Sequence, residues 1–399
     1  MRKRVTPVNE ETFGSRLKRL RTRAGMTRPQ LGGLVGRSGE WVKALETGRI
    51  LPPRLPMMVR LAEALRADDL AELTGDERLA MPSYSNAAHE QLPAISRALL
   101  NYPLTDDVEP DVDGIVRRVE QAWELWHGSR RHRTAVAVAL PSLLRDARVL
   151  PRLVEGNDRR RALVALAQVY HLTQLYLSFQ PVPNLVMLAA DRAMTAAQDA
   201  DDPRAMAAAA WYVNHVHRDA GEAEEVRVQL AHDTARLLDP ERDRAEYGLL
   251  YLAIALSHAK VGREGDAWRA WDVAEQAARG VEHPWLKFGP GMVHAYQVTM
   301  LADLQKPGEA VRRADALDFA ALGSMTRRAF HTIETARAFY AQREYVAAVA
   351  LLRRANEIAP ETTRYNLFAR FAVTELANSG GATVRDDAER LATALGVTA

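Results

Sequence analysis

Apolar positions recur at helical spacing through the first 75 residues. Phe13, Leu17, Leu20 and Ala24 predict one helix, ended by Gly25. Thr27 is a good N-cap, and Pro29 stands in the first turn of a second helix that ends at Gly36. Ser38 caps a third helix running to Thr47, where Gly48 stops it. Pro52-Pro53 breaks the chain. Leu55, Met58, Val59, Ala62 and Leu65 then form a fourth amphipathic face, and Asp68-Asp69 opens a short fifth helix that ends at Gly75. From 76 to 113 the pattern fades. Pro82, Pro93, Pro103 and Pro110 punctuate a stretch rich in Asp and Glu, which reads as a linker holding one helix near 89–100. From Gly114 to Ala399 everything is helical and alanine-rich, with no convincing period-two strand.

Within that body, small residues repeat at fixed offsets. Ala336, Ala348 and Ala355 are spaced by 12 and then 7, with Phe339, Tyr345, Leu352 and Pro360 around them. Ala255, Ala267 and Ala274, with Trp271, keep the same offsets. Weaker units end at Ala235 and Pro240 and surround Ala310. Small residues let two antiparallel helices approach closely, and the large residue between them fills the gap to the next pair. The expected architecture is an α-solenoid of helical hairpins. The competing one is an irregular bundle in which Ala recurs by composition. The fold class is all-α either way, in three parts: 1–75, 76–113 and 114–399.

Composition narrows the function. A chain of 399 residues, 47% apolar and 26% charged, has the balance of two or three globular domains. It has no cysteine, so disulfides, thiolate metal sites and a cysteine nucleophile are excluded. Apolar runs such as Met206–Val213 and Leu249–Leu256 are too short to span a membrane. The basic Met1-Arg-Lys-Arg start precedes no apolar signal core, and a soluble cytoplasmic protein is expected. Residues 1–75 hold 15 Lys and Arg against 8 Asp and Glu, a balance of +7, leaving −5 for the rest of a chain whose total is +2. Arginine is frequent throughout, but a general bias does not explain the asymmetry. A basic head on an acidic body points to a polyanionic partner for the head.

The N-terminal residues carry a resemblance. Phe13-Gly14-Ser15-Arg16-Leu17-Lys18-Arg19-Leu20-Arg21, Gly25-Met26-Thr27, Leu31, Ser38, Val42, Leu45-Glu46-Thr47-Gly48 and Leu61-Ala62-Glu63-Ala64-Leu65 resemble the lambda-repressor-like helix-turn-helix family of Cro/cI or XRE type. Arg37-Ser38-Gly39-Glu40-Trp41-Val42 is similar to an actinobacterial branch of it. The resemblance implies five helices, with Thr27–Val35 and Ser38–Thr47 as a unit that reads double-stranded DNA on the nucleoid. The physics points the same way. A helix of this length fits the major groove, its N-terminal residues meet base edges, and the helix N-termini at Thr27 and Ser38 suit phosphates. Val42 and Leu45 face the core in this reading, which leaves Gly39, Glu40, Lys43 and Ala44 facing outward. Arg28, Arg37, Lys43 and Arg49 supply charge.

Some roles stay open. Arg28 stands where the family commonly has Gln, as a phosphate clamp or a guanine reader. Glu40 either accepts from a base or pairs with Arg37 or Lys43. Trp41 either packs only or also touches sugar–phosphate. Arg21 and Glu46 match a family pair that braces the first helix against the third. Gly32 replaces the usual alanine at about 1 kcal/mol of helix propensity.

The body's repeat resembles the tetratricopeptide family, and a helix-turn-helix head on such a solenoid resembles regulators that read signalling peptides. That combination implies a groove for a peptide, a small molecule or a protein partner. On the first helices of the hairpins its candidates are Tyr170, Gln174, Asn214, His217, Gln297, His331, Arg337 and Tyr340, since Asn and Gln amides can hold an extended backbone. Trp123 and Trp126 read as a packing seam. No Walker loop, dinucleotide fingerprint or Gly-x-Ser-x-Gly occurs, and no cofactor is called for. His215 and His217 diverge on a helix, and His331 with Glu334 is too small a set for a metal. One helix-turn-helix covers few base pairs, so a homodimer on paired half-sites is expected. The expected function is a sequence-specific transcriptional regulator. The alternatives are an interaction scaffold whose head no longer binds DNA and, more remotely, an enzyme.

Overall fold

The computed structural model describes residues 12–53, 55–67, 70–75, 87–104, 108–217, 224–379 and 381–397, with the backbone alone at 55, 56, 59, 71, 215–217, 379 and 382. Every regular element among them is a helix, and the chain divides into an N-terminal unit and a larger body.

The N-terminal unit holds α1 (Phe13–Arg23), α2 (Arg28–Leu34), α3 (Gly39–Glu46), α4 (Leu55–Ala64) and α5 (Ala71–Thr74). These are the expected helices; the Asp68-Asp69 start of the fifth lies outside the described residues. Leu17 and Leu20 of α1, Leu31 of α2, Val42 and Leu45 of α3 and Leu61 of α4 meet in one core. Each such buried side chain contributes about 1.5–3 kcal/mol. The Arg16 guanidinium donates to the Thr74 carbonyl at 2.7 Å and fastens α1 to α5.

The body begins with α6 (Leu92–Leu100), α7 (Val112–Gly128), α8 (His132–Val149), α9 (Gly156–Leu177), α10 (Pro183–Asp199), α11 (Pro203–His217) and α12 (Glu224–Ala235). It continues with α13 (Arg244–Lys260), α14 (Glu264–Ala278), α15 (Pro290–Asp303) and α16 (Pro307–Asp315). Last come α17 (Met325–Ala341), α18 (Tyr345–Ile358), α19 (Pro360–Tyr365), α20 (Leu367–Ser379) and α21 (Ala382–Leu395).

The helix expected near 89–100 within the stretch 76–113 is present as α6. Leu92, Ile95 and Leu99 put one apolar stripe of α6 into the body core. Residues 76–86 and 105–107 of that stretch lie outside the description.

Hairpins follow one another through the body. Short turns join α13 to α14 and α17 to α18, which makes each pair antiparallel. The alanines at the repeated offsets, Ala255, Ala267 and Ala274, then Ala336, Ala348 and Ala355, are all fully buried, as close helix approach requires.

Early and late helices of the body also meet. The α8 N-terminus has no side-chain cap of its own. Glu361 of α19 supplies one from 228 residues away, accepting the Arg133 N–H at 2.6 Å. It also accepts the Thr134 N–H at 3.3 Å and the Thr134 hydroxyl at 2.5 Å. Two orphan amides of a helix end are thereby satisfied by a carboxylate, the partner that the dipole favours.

Candidate nucleic-acid interface

The α2–turn–α3 segment is built from its caps. The Thr27 hydroxyl accepts from the Gln30 N–H at 3.3 Å, and the Gln30 side chain takes the Thr27 N–H at 2.8 Å, a reciprocal capping box. Ser38 caps α3 by accepting the Trp41 N–H at 3.1 Å. Between them Gly36 adopts φ +68°, a left-handed turn that favours glycine. The Arg37 N–H closes the turn on the Gly32 carbonyl at 2.7 Å. A Cβ at Gly32 would stand 2.6 Å from the Arg37 carbonyl oxygen. Gly32 is therefore set by the tightness of this turn, and helix propensity is the smaller consideration.

Glu46 is the hub of the unit. Its side chain is 1% exposed and takes Arg21 Nε on one oxygen and Arg28 Nε, at 2.7 Å, on the other. Arg21 also donates to the Met26 carbonyl at 2.7 Å. Burial pushes the Glu46 carboxyl up, but hydrogen bonds and charge from Arg21 and Arg28 outweigh it and hold the group below the ordinary carboxylate range. The Arg21–Glu46 brace is present as expected. The Arg28 bond to the same carboxylate was not foreseen; it fixes the Arg28 Nε inward and leaves a third of the side chain exposed.

The remaining candidates divide by exposure. Glu40 is exposed and lies 3.3 Å from Lys43 Nζ and 3.8 Å from Arg49 Nη2. It thus pairs with Lys43, as one reading allowed, and with Arg49, which neither reading named. Arg37 is mostly buried, donates to the Gly36 carbonyl at 3.1 Å and lies 5.9 Å from the Trp41 ring centre. Ala44 corrects the outward-facing set: it is fully buried. α3 packs against both α1 and α2, so its inner face is wider than the Val42–Leu45 stripe and takes in Ala44 and Glu46. Thr27, Gly39, Glu40, Lys43 and Arg49 remain wholly or partly exposed. Exposed Gln30, in the first turn of α2, was missed, although Thr-x-x-Gln is a sequence-level signature of the capping box.

The body's groove candidates differ in exposure. Tyr170, Gln174, Asn214, His331 and Tyr340 are buried. The Gln174 amide donates to the Tyr212 carbonyl at 3.3 Å, and that of Asn214 to the Ala210 and Arg227 carbonyls at 2.9 and 3.2 Å. The His331 ring stands edge-on to Tyr296 at 4.7 Å. Arg337, half-buried, is held by Asp303 at 2.8 Å and Glu334 at 2.6 Å. Gln297 is half-buried, and the His215 and His217 side chains lie outside the described residues. These helices pack on more than one side, which buries five of the eight candidates. Trp123 and Trp126 are buried in the core, as a packing seam should be. Among the described residues no group of three His, Asp or Glu could hold a metal ion, and no helix is long and apolar enough to cross a membrane.

Residues 12–73 match a family model described as a helix-turn-helix domain. The N-terminal unit is thus a helix-turn-helix domain, with α2 and α3 as the two helices that give the motif its name. No curated protein and no solved structure matches the chain.

Proposed function

We propose that the protein is a sequence-specific DNA-binding transcriptional regulator of XRE type. The observation that carries the reading is the α2–turn–α3 unit itself, two capped helix N-termini set around a tight turn in a domain matching the helix-turn-helix family over residues 12–73. In this reading α3 enters the major groove with Gly39, Glu40 and Lys43 toward the bases. Thr27, Arg28, Ser38 and Arg49 hold phosphates, and Arg37 supports Trp41 at the sugar–phosphate chain. The body, read as a tetratricopeptide-like solenoid of an actinobacterial type of regulator, pairs two chains on half-sites about 34–36 Å apart or a multiple of it. It also senses an effector. The protein works in the cytoplasm, on the nucleoid.

Selection of duplexes from a random pool by the full chain tests this. The expected result is an enriched near-palindromic site, with affinity falling steeply as salt rises, by a log–log slope of about 0.9 per phosphate contact. Lys43→Ala lowers both the affinity and that slope. A pool that shows no enrichment, or binding indifferent to salt, refutes the reading.

One observation favours the scaffold alternative: the Glu40 carboxylate faces both Lys43 and Arg49 and offsets their charge. Glu40→Gln separates the two. A regulator that reads cytosine through Glu40 loses preference at one base pair of its site, whereas a scaffold shows no preference before or after the change.

A further inference from the structure

Where the early and late helices of the body meet they form a partly open cavity of about 110 Å³. Trp126, Tyr212, Tyr296 and Phe330 contribute aromatic rings to its lining, from α7, α11, α15 and α17. Four side chains of basic type line it too: His127, His132, Arg133 and Arg327.

The two histidines are neutral. Burial drives the His127 pKa down to about 3 and that of His132 well below its ordinary value. His127 has one ring nitrogen 2.9 Å from the Trp285 carbonyl and the other 2.9 Å from the Ser324 hydroxyl. The first must donate, so the second accepts. The positive charge at the cavity is therefore that of Arg133 and Arg327.

Neither guanidinium has a carboxylate partner among the described residues. Arg133 is 4% exposed, lies between the Trp126 and Tyr365 rings at 5.6 and 4.8 Å, and gives its Nη1 to the Leu175 and Tyr176 carbonyls. Glu361 acts on it, but the Glu361 oxygens are engaged by the Arg133 and Thr134 amides and the Thr134 hydroxyl. Arg327 donates to the Tyr296 hydroxyl at 3.1 Å and to the Leu286 carbonyl at 3.0 Å. Nε of Arg133, Nε of Arg327, Nδ1 of His132 and Oγ1 of Thr362 are buried with no hydrogen-bond partner among the described residues, and all four side chains line this cavity. Burying a cation whose nearest carboxylate is bonded elsewhere is unfavourable. Desolvation accordingly draws the Arg133 pKa down to about 10. Arg327 is half-buried beside it, and two cations at one aromatic cavity suit an anion with an apolar body. The volume is of the order of the ~150 Å³ apolar cavity that takes up benzene, so a single ring is the upper limit.

We propose that this cavity binds a small monocarboxylate with one aromatic ring, its carboxylate taken by Arg133 and Arg327 and its ring by the aromatic walls. Such a ligand would be the effector of the regulator proposed above. The site depends on that reading for its regulatory meaning and not for binding itself.

Calorimetric titration of the full chain with benzoate, benzyl alcohol and inorganic phosphate tests it. Benzoate is expected to bind saturably, about tenfold or more tighter than either of the others, because charge-assisted hydrogen bonds are added to ring burial. Arg327→Met should weaken benzoate by a similar factor and leave thermal unfolding cooperative. Arg353→Met, at an exposed body arginine, should leave it unchanged. Thr362→Val gives a second reading that removes no charge, with weaker benzoate binding expected. Absence of saturable heat at millimolar benzoate overturns the proposal. So does benzyl alcohol or phosphate binding as tightly as benzoate, or a folded Arg327→Met chain that binds it undiminished. The titration contains no DNA, so its failure leaves the DNA-binding reading standing, and a failed duplex selection leaves the cavity standing.

Discussion

Replacing Glu46 by alanine removes the one carboxylate on which Arg21 and Arg28 converge. The Arg21 side chain is 12% exposed, so its charge stays inside, whereas that of Arg28, at 35%, can turn to water. Breaking a buried ion pair from one side destabilises by about 3–5 kcal/mol. Arg21 keeps its bond to the Met26 carbonyl, which reduces the loss to roughly 2–4 kcal/mol. A domain of this size is stable by about 3–9 kcal/mol, so the change removes a large part of the total. Glu46→Gln keeps one acceptor oxygen and should lose less. Glu46→Leu with Arg21→Met leaves no orphaned charge and should recover much of the loss. Hydrogen exchange of the α1–α3 amides, measured on the full chain, reports the unit's own opening free energy. Acid gives a second reading. Glu46 ionises below the ordinary 4.5 in the folded chain, so its contribution is complete above that value and lost as the pH falls through the folded pKa. The Gln variant lacks that component. Alanine exchange within about 0.5 kcal/mol of the parent would refute the hub.

Gly14→Ala places a Cβ 2.5 Å from the Leu45 carbonyl oxygen and 2.6 Å from that of Glu46, backbone atoms that cannot turn aside. It should destabilise the N-terminal unit by about 1–3 kcal/mol, read by the same exchange measurement, although alanine is the better helix former. Glu361→Ala strips the α8 N-terminus of its cap and should lower body stability by at least about 2 kcal/mol in denaturant unfolding; an unchanged midpoint would mean that water replaces the carboxylate without loss. His127 and His171, each held by burial at about 3, should show no proton-resonance titration between pH 5 and 8. Because the unfolded chain protonates them near 6.5 and the folded chain does not, body stability should fall as the pH drops from there toward 3.

The helices of the N-terminal unit were legible because each start carries its own local signal. Thr27 and Ser38 cap in the structure as hydroxyl N-caps should, and Arg21 meets Glu46. What escaped depends on neighbours. Ala44 lies outside the Val42–Leu45 stripe and is buried only because α3 is flanked by two helices. Arg28 finds Glu46 through a fold that brings the start of α2 to the end of α3. In the body, helical type and alanine offsets were legible, and the polar face was not. Tyr170 and Gln174 sit on α9, which buries apolar and polar residues alike around its circumference, and a helix packed on several sides has no outward stripe for periodicity to report. The cavity joins side chains from Trp126 to Asn366, a span that no local pattern encodes.

The carboxylate that caps α8 has a consequence for the order in which the body is made. Synthesis runs from the N-terminus at about 5–20 residues per second. Arg133 therefore leaves the ribosome roughly 11–46 s before Glu361, 228 residues later. Over that interval the α8 amides have water as their partner, the cavity lacks its α17 and α19 walls, and Trp126 has no lid of late helices above it. Helices form in microseconds, so α7 and α8 exist long before the acid that completes them. A nascent chain halted before residue 361 thus presents an aromatic, arginine-lined surface to whatever the cell offers, and the arrival of α17 and α19 decides when that surface closes.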